Sequence, residues 1–419
     1  VALMPTPARR DPLEAVRLPN YRWFALGFVA SATGLQMLGF TVLWELWERT
    51  RDPFAVGLGG LARAGPVVLL ALLSGHAADV YSRRVIVAVT NSGFALCAIA
   101  LAGISIAHAP VWSMYLLLML TGVCRSFNGP ARNSILPLLV PGETLHNAVT
   151  WNSGLFQFAA IAGPFLAGVM LQHARAPWMV YVVTAALCVA FAAICPLLRP
   201  RVVARHAEPL SIASMLAGAR FIRREEVVFG AILLDLLAVL FGGVTALLPQ
   251  FAEQILHTGP VGLAALRAAP YVGALVMAVV LAYRPPFERS GRALLWSVAG
   301  FGACTVVFGF STSLSLSLAA LFVAGALDNI SVVVRHVLIQ VRTPDHLRGR
   351  VGAVNSLFIE CSNELGSFES GLVARLFGPV LSAVSGGVGT LAVVSGIASG
   401  FPALRRLGRL HATDEPHKA

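Results

Sequence analysis

From Arg22 onward, charged residues and Pro/Gly breaks divide the chain into twelve apolar blocks. They run at roughly 22–47, 54–77, 84–107, 111–135, 146–171, 177–198, 227–250, 261–283, 293–311, 315–338, 351–374 and 379–402. Crossing a hydrocarbon core takes about 20 residues of helix, and only helices or closed barrels satisfy every backbone polar group there. Blocks of this length, repeated along 419 residues, leave one class open, an all-α membrane protein. Composition agrees, since only 12% of the residues are charged against about 25% in soluble domains. Gly65-Pro66 and Gly163-Pro164 are expected to interrupt the second and fifth blocks.

The formal charge of +11 raises the question of a nucleic-acid partner. Placement excludes it, because the arginines lie between apolar blocks and form no patch interleaved with exposed aromatics. Counting the amino terminus as side one, 23 of the 31 Lys+Arg fall on side one, among them Arg83, Arg84 and Arg132. Four fall on side two (Arg49, Arg51, Arg175, Arg375), and the remaining four lie inside blocks. By the positive-inside rule both termini are expected to be cytoplasmic, in a multi-pass chain in contact with the lipid bilayer. The six cysteines fall inside apolar blocks without CxxC spacing. They read as small buried hydrophobes, and neither a metal site nor a cofactor is expected. Trp44 and Trp47 read as interface anchors at the outer end of the first helix.

The halves superimpose by offset. Gly122, Arg132, Pro141, Asn152 and Ser153 match Gly325, Arg335, Pro344, Asn355 and Ser356 at an offset of 203, and "RAGP" (63–66) answers "RAAP" (267–270) at 204. This implies two pseudo-twofold-related six-helix halves, a parallel repeat with a substrate site between them near mid-membrane. The expected division is 1–198 for the first half, 199–226 for a cytoplasmic linker, 227–404 for the second half and 405–419 for a cytoplasmic tail. The linker stretch "LSIASMLAGARFIRREE" has an apolar face and a basic end, and is expected to lie along the inner leaflet. At the same register Arg125 falls opposite Asp328.

Three short motifs carry more. "GHAADVYSRR" ends the second block with Gly75, Asp79, Arg83 and Arg84, where a close helix approach and opposed charges at a helix end are combined. "RSFNGPA" runs from Arg125 to Ala131, and "GPFLAG" contains Gly163, Pro164 and Gly168. Together these resemble the signature elements of the major facilitator superfamily, with Ser82 where the first motif usually has Gly and Ala131 one place early in the second. "PARNSILPLLVPGETLHNAVTWNS", "LDLLAVLFGGVTALLP" and "LRGRVGAVNSLFIECSNELG" resemble the branch that includes enterobactin exporters and macrolide-efflux permeases. The resemblance implies the major facilitator fold, a one-sided cytoplasmic gate at Gly75, Asp79, Arg83 and Arg84, an antiporter element at Gly163, Pro164 and Gly168, export driven by protons, and a monomer.

A charge at the bilayer centre costs at least about 2.5–3.5 kcal/mol on insertion scales, so each one is a functional candidate. Arg125, Asp235, Asp328 and Glu360 lie near mid-depth, and Glu364 stands one turn from Glu360 on the same face. The resemblance implies that helices 1, 4, 7 and 10 line the cavity, with Arg125, Asp235 and Asp328 facing it. Buried carboxylates hold protons more tightly and a nearby arginine reverses that. Asp235 or the Glu360/Glu364 pair is therefore the candidate proton carrier, modulated by Arg125. The structural alternatives are an Arg125–Asp328 ion pair, a polar seam at Glu360/Glu364, and Asp235 capping a broken helix.

The expected function is export of a small amphipathic molecule, a siderophore or a drug, by proton antiport. The alternatives are a proton-independent facilitator, an importer, a lipid flippase, or a membrane receptor that transports nothing. An enzyme is not expected, since no phosphate-binding Gly loop, HExxH or nucleophile elbow occurs.

Overall fold

The computed structural model describes residues 13–201, 212–285, 287–344 and 347–409, apart from the side chains of 72, 78, 79 and 212–216. Part of the linker and most of the tail thus lie outside the described residues. Among the described residues every regular element is helical. Twelve long helices follow one another: α1 (Pro19–Thr50), α2 (Pro53–Val80), α3 (Arg83–Ile106), α4 (Val111–Leu139), α5 (Leu145–Ala174), α6 (Pro177–Ile194), α7 (Glu226–Ile255), α8 (Gly259–Tyr283), α9 (Ser290–Phe310), α10 (Leu314–Arg342), α11 (Arg348–Phe377) and α12 (Pro379–Gly400). Each of the twelve apolar blocks corresponds to one of them.

The turns opposite the chain ends are tight, and their chemistry is local. Arg51, in the left-handed region at φ 51°, ends α1 by returning its N–H to the Trp47 carbonyl at 2.8 Å. The Asp52 side chain then caps α2 by accepting from the Phe54 N–H at 2.9 Å, with Pro53 at the first helical position, where proline's missing N–H costs nothing. Arg175 and Gly378 turn the chain in the same way before Pro177 and Pro379. We call this the far side, and the opposite face, where α1 begins and α12 ends, the terminal side.

Ten of the helices are long and apolar enough to cross a membrane. The two that fall short, α4 and α11, span 29 and 30 residues and carry Arg125, Glu360 and Glu364. Their polarity reflects a face turned away from lipid. Elsewhere the outward surface is apolar: Leu69, Leu96, Trp112, Trp296 and Phe310 are all more than half exposed, which water would not tolerate over such an area and hydrocarbon would.

The expected helix breaks move. Neither Gly-Pro pair breaks its helix, since Pro66 and Pro164 sit inside continuous α2 and α5. The break falls instead in α7 after Gly242, where Gly243 leaves helical geometry and its carbonyl accepts from the Ser370 hydroxyl of α11 at 2.5 Å. A neighbouring side chain thereby satisfies the freed backbone, as a membrane interior requires. The linker helix Ile212–Arg224 packs on the second half: Ile222 is buried against Val228, Ile232, Ile339, Val351 and Val354, and Gly218 lets the backbone of Arg350 come close.

The repeat is visible in packing. A Cβ on Gly122 of α4 would lie 2.2 Å from the Arg63 carbonyl of α2, and one on Gly325 of α10 would lie 2.0 Å from the Pro270 carbonyl of α8. The matched glycines thus allow the same close crossing in each half, and each crossing sets the depth of one arginine, Arg63 or Arg267.

Candidate functional site

A cavity of about 840 Å³ opens between the halves, within the range of small-molecule sites. Its shape follows from how α2 and α11 diverge. Near the far side Gly57 and Gly60 of α2 leave room only for Ser367, Phe368 and Glu364 of α11. Further along the same face of each helix, Val67, Ala71 and Gly75 on one side and Leu357 and Ala353 on the other no longer meet and line the cavity. On the far side the halves are sealed by an apolar cluster in which Met37, Phe40 and Leu171 of the first half pack with Phe251, Leu263 and Phe308 of the second. Gly168 of α5 contributes there, close against Ala264 and Pro260 of α8, while Gly163 lets α5 approach Gln36 and Thr33 of α1.

Polar contacts reinforce the seal. Glu253 of α7 accepts from the Trp47 indole N–H at 2.6 Å and pairs with Arg51. Arg375 of α11 reaches Asp52 at 3.5 Å and lies over the Phe54 ring, which itself contacts Phe368. Trp47 is fully buried in this gate, so it is not the interface anchor the sequence suggests.

Inside the cavity two ion pairs join the halves. Glu364 Oε1 of α11 accepts from Arg63 Nη2 of α2 at 2.7 Å, and Glu360 accepts from Arg125 Nη2 of α4 at 2.8 and 3.0 Å. Gly60 makes the first possible, since a Cβ there would stand 2.4 Å from Glu364 Oε2. Arg125 therefore pairs with Glu360 and not with Asp328. Asp235 and Asp328 do not line the cavity. Asp235 is buried within the second half and paired with Arg335, whose side chain is 4% exposed. Arg335 is the mate of Arg132, and the first half has no carboxylate at the depth of Asp235, with Ser31 or Ala32 there at an offset of 204 or 203. Arg132 consequently lies over the Phe28 ring, its guanidinium carbon 4.9 Å from the centroid, and lines the cavity. It is a residue of α4 and not of a loop.

Sequence reasoning passed over Arg63 and Arg267. The signal was present in the "RAGP"/"RAAP" match, which places an arginine at equivalent depth in α2 and α8. In the motif after α2, Gly75 lines the cavity, Arg83 Nη1 donates to the Ser134 carbonyl at 3.2 Å, and Arg84 Nη1 donates to the Leu198 carbonyl at 3.0 Å. The Asp79 side chain lies outside the described residues. Pro164 is buried inside α5.

Two six-helix halves around a charged central cavity, sealed on one side and open on the other, define a major-facilitator-type transporter. Residues 11–414 match the family described as transmembrane secretion effector, and the chain belongs to that family of the major facilitator superfamily. The enterobactin exporter EntS of Shigella boydii serotype 18 (strain CDC 3083-94 / BS512) is 24% identical over 382 residues, covering 90% of each chain. EntS of Escherichia coli O1:K1 / APEC matches to the same extent. The fold is shared with the crystal structure of the nucleoside transporter NupG, at TM-score 0.69 and 14% identity over 93% of this chain and 100% of that one. It is shared also with a bacterial homologue of the human lysosomal transporter Spinster in an inward-facing, occupied conformation, at TM-score 0.70 and 14% identity over 95% and 99%.

Proposed function

We propose that the protein, as a monomer in the bacterial inner membrane with both termini in the cytoplasm, exports a small amphipathic molecule by alternating access in exchange for protons. The arginine excess on the terminal side supports the orientation, in which the cavity described above is open to the cytoplasm. Similarity to enterobactin exporters supports export and a siderophore or drug as cargo. The observation that carries the coupling is the presence of two arginine–glutamate pairs, each with one partner in either half and both within the cavity.

The mechanism follows from that geometry. A carboxylate held by a guanidinium gives up its proton, and one stripped of that partner in apolar surroundings takes it back. Opening the far side would part Gly57 and Gly60 from Ser367 and Glu364, and with them Arg63 from Glu364. In this scheme Glu364 and Glu360 take protons from outside with the halves parted there, and release them inward as the arginines return. Asp235 is the weaker candidate carrier, because the Arg335 pair holds it inside one half, away from the cavity.

Reconstituted protein tests this reading by uptake of a siderophore and of a hydrophobic dye with and without an imposed ΔpH, alongside Glu364→Gln, Glu360→Gln and Asp235→Asn. The expected result is gradient-driven transport lost in Glu364→Gln and retained in part by Asp235→Asn. Transport by the native protein that ignores ΔpH would replace antiport with facilitated diffusion.

A further inference from the structure

The charges of the cavity do not balance. Four arginines line it (Arg63, Arg125, Arg132 and Arg267), against two carboxylates, Glu360 and Glu364. Both carboxylates are already engaged by Arg63 and Arg125. Arg267 has no hydrogen-bond or ion-pair partner among the described residues, yet it sits half-buried in the cavity wall. Arginine keeps its charge in proteins, and a buried charge left without a partner is costly. A site of this kind is completed by an anion.

The geometry gives that anion a position. Nη1 of Arg63 and Nη2 of Arg267 lie 3.6 and 3.7 Å from the point that a Cβ on Gly39 would occupy, and no other group beyond the adjoining turns of α1 comes within 4 Å of it. The carboxylate of Glu364 is bound through the other nitrogen of Arg63, Nη2, so Nη1 remains to donate. Gly39 of α1, having no side chain, thus leaves a gap that both guanidiniums face. These are mates in the internal repeat, one on α2 of the first half and one on α8 of the second. Beyond the gap the wall turns apolar and aromatic, with Leu43, Val67, Phe94, Phe156 and Tyr271.

We infer that Arg63 and Arg267 form a two-armed anion site across the pseudo-twofold, and that the transported molecule is an amphipathic organic anion, whose carboxylate, phenolate or sulfonate oxygen is held beside Gly39 while its apolar body lies against the cavity wall. The inference rests on the transporter reading above and narrows its cargo, setting aside cationic drugs. It also ties binding to conformation. An anion held by both arms joins the two halves at their axis, so the cargo itself contributes to the closed interface that must form around it.

The test uses the full chain in lipid nanodiscs and three probes that share one fluorophore: dansylglycine (a carboxylate), dansylglycinamide (neutral) and dansylcadaverine (a cation). Energy transfer from tryptophan reads binding. The native protein is expected to prefer the carboxylate over the amide by about tenfold or more, the scale of one charge-assisted hydrogen bond. Arg267→Gln should abolish the preference and Arg267→Lys should restore part of it. Gly39→Ala provides the variant that folds, because its methyl meets the two arginines at ordinary contact distance while taking up space that both of them face. It should lose the preference with an unchanged unfolding temperature. A native protein that binds none of the three probes at millimolar concentration, or that prefers the cation, overturns the anion site, as does a preference untouched in Arg267→Gln and Gly39→Ala. Uptake driven by ΔpH is scored separately, so a native protein that is coupled to ΔpH but shows no anion preference sinks this inference alone, and one that prefers the anion but ignores ΔpH sinks proton coupling alone.

Discussion

At the scale of single residues, the charges fall into two kinds, those that line the cavity and those that do not. The Glu360 side chain is 36% exposed and faces the cavity, whereas Asp235 and Arg335 are 10% and 4% exposed with the cavity on neither side. A pair that titrates during transport must meet water in some state, and a structural pair need not. Removing one partner of a buried pair leaves an uncompensated charge, at a cost of about 3–5 kcal/mol. Asp235→Asn is therefore expected to lower the unfolding temperature markedly, and Asp235→Asn combined with Arg335→Gln to recover most of it. The same cycle on Glu360 and Arg125, 36% and 43% exposed, should change stability little and transport greatly. Equal stability losses in the two cycles, followed by thermal unfolding in detergent, would contradict this division.

At the scale of elements, close helix crossings set the position of the charged groups. Gly122 lies under the Arg63 carbonyl, so Gly122→Ala must push α4 from α2, move Arg63, and weaken its bond to Glu364. Gly65, two residues along α2 from Arg63, has nothing within 4 Å of where its Cβ would be. Alanine there should be tolerated, or stabilise by up to about 1 kcal/mol through the lower entropy of the unfolded chain. The two variants make a controlled pair: expression and unfolding temperature should fall in the first and hold in the second. The break in α7 is governed in the same way, by Ser370 on a neighbouring helix. Ser370→Ala leaves the Gly243 carbonyl without that donor and is expected to cost about 1–3 kcal/mol, seen as a lower unfolding temperature.

At the scale of the whole molecule, the far side is sealed by the Trp47–Glu253–Arg51 contacts, the Phe54–Phe368 ring pair and the apolar cluster around Phe251, and the alternating access proposed above requires this seal to open. Cysteines placed at 54 and 368, whose native rings meet across the seam, should be joined by a short bis-methanethiosulfonate reagent in a chain whose native cysteines are replaced. The crosslinked protein should stop transporting and recover on reduction. Undiminished transport while crosslinked would mean that the far side never opens. Glu253→Gln should act more gently, loosening the seal and raising the labelling of residue 54 from the far side.

The twelve helices, the two-half repeat and the family were legible in the amino-acid order, because a bilayer demands about 20 apolar residues per span and because duplication leaves matched Gly, Arg, Pro and Asn at one offset. The presence of buried charge was legible for the same reason: any ionisable residue inside an apolar block stands out. Which charge meets which was not. Arg125 lies opposite Asp328 by register, yet its partner is Glu360, 235 residues away, because α11 packs across the boundary between halves and α10 does not. The RAGP/RAAP match placed two arginines at one depth, but their convergence beside Gly39 needs three helices from two halves to meet. Periodicity and hydropathy are properties of a segment and are written in it. Pairing inside the cavity depends on rigid-body packing between segments far apart in the chain, and only the tertiary structure decides it.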